Sequence, residues 1–420
     1  MIKSLDQKLK NIRANPSSRD FIIADAKDAD MAFGVRAPGP RHYLASKGMR
    51  AAQFSPEVWT REEYGHRNLP EFLDIIREVT KQGIVDIMLM SASVTEKLAI
   101  KEGLFKDSRV TPASRANDTT DIWAIRNGTY VKEPSRPFRS ATIDHIQCGK
   151  IECDRTSGEF PGANLGLYSA TFTNRLDEDM ATLRAFKEFR EEAERKKFRY
   201  FLEVFDPNVS SGIPPEKLGE FINDQIIRSL AGVTESGRPA FLKIVYHGPR
   251  FMEELAQYDS NLVVGILGGS AGTTYDAFKL IHDAQKYGAR VALFGRKINN
   301  AEHQLGFIEM LRLITDGRIT PEEAVRAYHD LLGKMGIKPK LSLEKDLETT
   351  DSAMSYGGGS GTVRVTGAGR KPSGSATRAG GVKPAAGASP TLPCGKPDFA
   401  KMDAAQRATY HRDRLTRKYG

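Results

Sequence analysis

A lysine stands in the middle of an apolar, β-branched run, PAFLKIVYHG (239–248). Burial there disfavours an ammonium unless it is paired. A buried, neutral amine is a nucleophile toward carbonyls, so Lys243 is a candidate for covalent chemistry. Two other strand-like runs each carry one acid, Glu203 in YFLEVF and Asp25 closing FIIAD. A carboxylate beside an imine moves the protons that making and breaking the imine require. The alternative reading of the same three residues is an ion-pair network that neutralises itself across a core.

The two runs that follow end in glycine turns. GILGGSAGTTYDAF passes through Gly268, Gly269 and Ser270 before a helix opens, and ALFGRKIN ends at Gly295 and Arg296. Glycine lets backbone N–H groups approach an anion, a helix N-terminus adds a favourable dipole, and Arg296 offers a charge-assisted contact. Either turn alone is equally a tight connection. Two of them 26 residues apart, on successive strands, suit a phosphate group.

These residues need elements to hold them. FIIAD (21–25) and IVDIMLMSA (84–92) read as early strands, DIWAIRNG (121–128) and ATIDHIQC (141–148) as less clear ones. LGLYSATF (165–172) precedes a long amphipathic stretch that sets Met180, Leu183, Phe186, Phe189 and Ala193 on one face. YFLEVFDPN (200–208), AFLKIVYHG, LVVGILGGS (262–270) and ARVALFGRKIN (289–299) follow, each with a helical segment after it. In PPEKLGEFINDQIIRSL a proline pair marks the helix start. Near-continuous apolar strands joined by helices indicate a parallel sheet covered by helices. The strand count approaches eight, which predicts a (β/α)8 barrel of the TIM type, with a doubly wound open sheet as the rival. In such a barrel the carboxyl ends of the strands face the site. Alternation puts Phe241, Lys243, Val245 and His247 on one face of their strand.

Over about residues 200–305, and more faintly from Phe21, the chain resembles the class I, Schiff-base aldolases of the archaeal fructose-bisphosphate and tagatose-bisphosphate type. The carrying stretches are FLKIVY, YFLEVF, FIIAD and LGGSAGTTYDAFKLIHDAQKYGARVALFGRKI. The resemblance implies an imine on Lys243, acids at Glu203 and Asp25, and a substrate phosphate held around Gly269, Ser270, Gly295 and Arg296. It departs from the family in lacking a lysine in LGLYSATF and an aromatic pair in FLEVFDPN, and residues 31–164 resemble it little.

Other constellations carry less. DAKDAD (25–30) offers Asp25, Asp28 and Asp30 to a hard cation, without the glycine turn of a calcium loop. Cys148 and Cys153 lie near His145 but lack a second ligand pair, so they read as reduced thiols rather than a zinc site. His66 and His247 are acid–base candidates, and Tyr168 and Ser169 candidates to line the pocket.

The net charge of +9 belongs to the C-terminus. Residues 351–420 hold 12 Lys and Arg against 4 Asp, leaving 50 basic and 49 acidic groups before them. Composition divides the chain into a barrel over 1–345, a disordered Gly/Ser/Pro-rich linker over 346–397 and a short basic helix over 398–420. Nucleic acid is thus not expected to bind the barrel, with weak contact left to the tail. Neither a signal-like segment nor an apolar run of about 18 residues is present, so a cytoplasmic protein with no membrane partner is expected. The expected function is a metal-independent, cofactor-free lyase acting on a phosphorylated small molecule. A catalytically degenerate barrel that binds such a molecule, or a scaffold whose basic tail docks a partner, is the alternative. A homo-oligomer is compatible with either, and no interface is legible.

Overall fold

The structure, a computed structural model, describes residues 2–15, 17–41, 66–269, 272–350 and 401. The chain divides into two units. One comprises Met1–His42 and Asn68–Val365; the other, Tyr43–Arg67 with Thr366–Gly420, contains His66, Arg67 and Lys401 among the described residues.

Eight parallel strands close into a barrel in the first unit, each beside its neighbour in sequence and the eighth beside the first. They are β1 (Ile22–Lys27), β2 (Ile87–Met90), β3 (Thr111–Arg115), β4 (Leu165–Thr171), β5 (Arg199–Phe205), β6 (Leu242–Ile244), β7 (Gly265–Gly268) and β8 (Val291–Phe294). Most are buried on both faces, which is why they read as apolar runs rather than alternating ones. The inner face of the lower barrel is filled by Ile22, Ala24, Ile87, Leu89, Leu165, Leu167, Phe201, Phe241, Val291 and Leu293. Helix α1 (Ser4–Ala14) plugs the amino end of the barrel with Leu5, Leu9 and Ile12. Lys8 of α1 and Arg312 both pair with Asp86 there, and Asp86 accepts the N–H of Ile23 at 2.9 Å.

The outer layer consists of α2 (Leu69–Gln82), α3 (Leu176–Arg195), α4 (Leu218–Leu230), α5 (Pro249–Tyr258), α6 (Thr274–Lys286), α7 (Gln304–Thr315) and α8 (Pro321–Lys334), with shorter helices between. On α3 the buried stripe is Thr182, Phe186, Phe189 and Ala193, while Met180 stays outside at 39 % exposure.

Several expectations need correction. Residues 143–148 form a helix, not a strand, because Thr142 caps it by accepting the His145 N–H at 3.2 Å. Residues 121–128 form no strand but belong to an insertion between β3 and β4. Within it, Asp118–Thr119 and Pro137–Phe138 pair as an antiparallel ribbon. The third strand is instead TPASR, whose small and polar residues gave no apolar signal. Cys148 and Cys153 are joined in a disulfide, with Cα atoms 6.0 Å apart, rather than reduced.

The packed chain continues beyond residue 345. Asp346 is buried, and Thr350 donates from its N–H and its hydroxyl to Asp276 on α6. The expected helix over 398–420 and most of the expected linker lie outside the described residues.

Candidate active site

Lys243 and Glu203 meet inside the barrel. The β5–β6 register sets them side by side, and their parity matches that of Phe241 and Phe201 below, so both side chains point inward. Lys243 Nζ forms an ion pair with Glu203 Oε1; the residues are 5 % and 0 % exposed. Ser169, the register partner of Glu203 on β4, donates its hydroxyl to Glu203 Oε2 at 2.7 Å. Asn117 fixes the Ser169 backbone from both sides, accepting its N–H at 2.6 Å and donating to its carbonyl at 2.8 Å.

Arg115, at the end of β3, extends this network across the mouth. Its Nε donates to Asp28 at 2.6 Å, its Nη1 to Ser169 Oγ at 3.3 Å, and its Nη2 lies 3.9 Å from Glu203. Sequence reasoning missed Arg115 because its strand was missed. The signal available was a lone arginine in SRAND, between small residues, where a solvated arginine would have needed no such company.

The aspartates of DAKDAD part ways. Asp25 lies on the other parity of β1 from Ala24 and Ala26, and both its oxygens accept from Lys27 Nζ at 2.7 Å. The structure therefore does not bring Asp25 to Lys243; Asp28 is the acid of this segment that lines the cleft. Asp30 accepts from Ser91 at 2.6 Å, and burial raises its pKa. Burial also pushes Asp118 up to about 6, against the pull of Arg115 and with Asp28 and Asp30 adding to the rise. Among the described residues no group of three or more His, Cys, Asp or Glu side chains is placed to hold a metal ion.

A cleft opens beside Lys243, lined also by Asp28, Arg115, Gly268, Gly295 and Arg296. The lysine and the two glycine turns thus share one opening. A Cβ on Gly268 would lie 2.0 Å from the Phe294 ring, and one on Gly295 would lie 3.1 Å from the Ala26 carbonyl, so both turns depend on glycine for close packing. Arg296 stacks over Phe33 with its Cζ 5.5 Å from the ring centre. Gly269 is buried, and Ser270 lies outside the described residues.

The leading N–H groups of α6 are not open to a ligand, contrary to expectation. The Thr273 N–H goes to Asp276 at 2.8 Å in a capping box, and the Thr274 N–H to Asp346 at 2.7 Å. Lys297 joins the two glycine turns by donating to the Gly272 carbonyl at 2.6 Å, and burial lowers it to about 8.

Of the remaining candidates, Ser169 is in the network, whereas Tyr168 points outward and stacks on Phe189 of α3 with ring centres 4.4 Å apart. His247 pairs with Asp206 at 2.9 Å. His66 belongs to the second unit.

No protein-family model and no curated protein matches the chain. Among solved structures it is similar to an archaeal fructose 1,6-bisphosphate aldolase, at TM-score 0.48 and 14 % identity over 75 % of this chain and 100 % of that one. A Schiff-base-forming fructose-1,6-bisphosphate aldolase is similar at TM-score 0.47 and 15 % identity, over 74 % and 100 %. A protein from Corynebacterium glutamicum follows at TM-score 0.45 and 14 % identity, over 76 % and 99 %. The chain is thus similar in structure to class I, Schiff-base aldolases of the archaeal type, and at this distance the likeness gives no residue a role.

Proposed function

We propose that the chain is a Schiff-base carbon–carbon lyase for a phosphorylated carbonyl compound, with Lys243 as nucleophile and Glu203 as its proton partner. The observation that supports this most is the Lys243–Glu203 contact on the inner wall, opening onto the cleft that reaches Gly268, Gly295 and Arg296.

Lys243 must give up a proton before it attacks, and Glu203, already in contact, is the acceptor. The amine adds to the carbonyl carbon, and Glu203 passes to the carbinolamine oxygen first the proton it took and then one from the nitrogen, so that the oxygen leaves as water and an iminium remains. Glu203, again a carboxylate, takes the proton of the hydroxyl on the carbon beyond; that oxygen becomes the carbonyl of the released aldehyde, and the electron pair of the broken carbon–carbon bond passes to the iminium, leaving an enamine. Protonation and hydrolysis free the lysine. Ser169 and Arg115 hold Glu203 in place through this cycle. Arg296 and the turns at 268–270 and 295 take the phosphate. In this reading Asp28 replaces Asp25 as the acid at the cleft, and Asp25 with Lys27 braces β1.

The test is borohydride reduction with dihydroxyacetone phosphate, read by peptide mass. Label is expected on Lys243 and absent from a Lys243→Met variant; equal labelling of the variant overturns the proposal.

A second reading, a barrel that binds a phosphorylated metabolite without turning it over, draws on how little room the cleft offers. Its free volume is about 30 Å3, enough for about two water molecules, which is less than a phosphorylated sugar fills. A ligand-induced rise in melting temperature with no trapping on Lys243 would favour that reading.

A further inference from the structure

The amino end of the barrel carries a second and larger opening. Its free volume is about 830 Å3, within the range of about 300–1,000 Å3 typical of small-molecule pockets. It lies where the chain enters β5 and β6, whereas the glycine turns that share a cleft with Lys243 lie at the carboxyl ends of β7 and β8. Tyr200 and Ala240, which both line it, join the two strands there, the Ala240 N–H donating to the Tyr200 carbonyl at 2.7 Å.

Five cations line this groove. Two are already neutralised, Arg199 by Asp6 at 2.5 Å and Arg238 by Asp259 at 2.6 Å. The others, Arg13, Arg190 and Lys197, come from α1, α3 and the loop after α3, and no carboxylate of the described residues pairs with any of them. Of the two acids on the lining, Glu194 accepts from the Ser236 hydroxyl at 2.9 Å and Glu235 is exposed. The two arginines are nevertheless held in place. Arg13 Nη2 donates to the Ala240 carbonyl at 2.9 Å. Arg190 stacks over Phe186 with its Cζ 5.1 Å from the ring centre, and its Nη1 reaches the loop before β6, 3.7 Å from where a Cβ on Gly237 would stand. Its Nε is buried without a hydrogen-bond partner among the described residues. A guanidinium nitrogen taken out of water without a partner costs stability, and an anion against the guanidinium would offset that cost.

We propose that this groove is a second binding site, for a small polyanion bearing two or more phosphate or carboxylate groups, held by Arg13, Arg190 and Lys197. Three cations from separate elements suit charges spread over one small molecule, and the planar fork of arginine matches the oxygens of phosphate and carboxylate. The site faces the opposite end of the barrel from the Lys243 cleft, so its ligand does not compete with a substrate there. It is independent of the lysine chemistry and stands or falls without it.

The probe is tripolyphosphate, titrated calorimetrically into the full chain at fixed ionic strength. Saturable binding is expected, and Arg190→Met should weaken it about 10- to 100-fold. Lys197→Gln changes an exposed residue and should weaken it about threefold. The lysine variant decides the matter if the arginine variant does not fold.

Weakening in either folded variant supports the site. Absence of saturable binding overturns it. Binding that both variants leave untouched also overturns it, because the anion then sits elsewhere, the turn at Arg296 included. Binding of a poly-aspartate chain but not of tripolyphosphate overturns it as well, in favour of an acidic protein partner.

Discussion

Glu203 and Lys243 are register partners on adjacent parallel strands, and their side chains close an ion pair inside the barrel. Their approach is set by the backbone ladder and not by a loop. Slipping either strand by one residue would turn its side chain into the helical layer. The carboxylate is thus held against the lysine by the sheet itself.

The first prediction concerns that acceptor. Glu203→Gln keeps the size of the side chain and a hydrogen bond to Lys243 but cannot take its proton. The rate of imine formation, followed by rapid quenching into borohydride, should fall by about 10²–10⁴-fold. Affinity for inorganic phosphate should stay near that of the native chain. A rate within threefold of native would assign the proton transfer to another group.

Arg115 is the cation on which the acids of the mouth depend. It is 2.6 Å from Asp28 and 4.0 Å from Asp118, and all three are buried. Arg115→Met should cost about 3–5 kcal/mol in urea unfolding, because it leaves buried carboxylates without their counter-ion. Adding Asp28→Asn should restore a good part of the loss. Without that rescue, packing of the arginine stem rather than its charge is the larger contribution.

The raised Asp118 pKa makes a prediction about pH. Folding lifts this carboxyl from 3.8 to about 6, so between those values the folded chain binds more protons than the unfolded one. Stability should therefore fall as pH rises from about 4 to 6, by on the order of 3 kcal/mol from this group, and the cost persists above 6. Asp118→Asn should match the native chain near pH 4 and exceed it at pH 7. Unfolding curves at the two pH values check this, and an equal offset at both would remove Asp118 as the source.

The clamp on α6 predicts how far the chain can be shortened. Ending it at Thr350 keeps the bonds to Asp276, Thr273 and Thr274; ending it at Lys345 loses them all. The longer form should melt with the full chain, and the shorter should lose about 2–4 kcal/mol, with charge-assisted bonds contributing most. Matching melting curves for the two forms would show that the clamp adds nothing.

Much of this barrel is legible in sequence because its strands after residue 164 are buried on both faces. LGLYSATF, YFLEVF and AFLKIV therefore stand out as apolar runs, and the polar residues in them mark inward positions. TPASR did not stand out. Its burial is supplied by small side chains and by an arginine neutralised across space by Asp28, a partner 87 residues away. The difference between Asp25 and Asp28 was equally hidden. Which acid of DAKDAD faces the cleft depends on strand parity and on Lys27, whose role as a neutralising partner within its own strand had no outward sign. The α6 cap misled for a related reason: its N–H groups look open to an anion until Asp346, 72 residues on, is seen to occupy one.

Thr350 gives the C-terminal sequence a mechanical meaning. It grips Asp276, the residue that also caps α6 directly after the glycine turn. The next residues begin the Gly- and Ser-rich stretch. A load on that stretch would arrive first at Thr350 and then, through Asp276, at the base of the turn. Whatever takes hold of the tail would do so with leverage on the turn that opens α6.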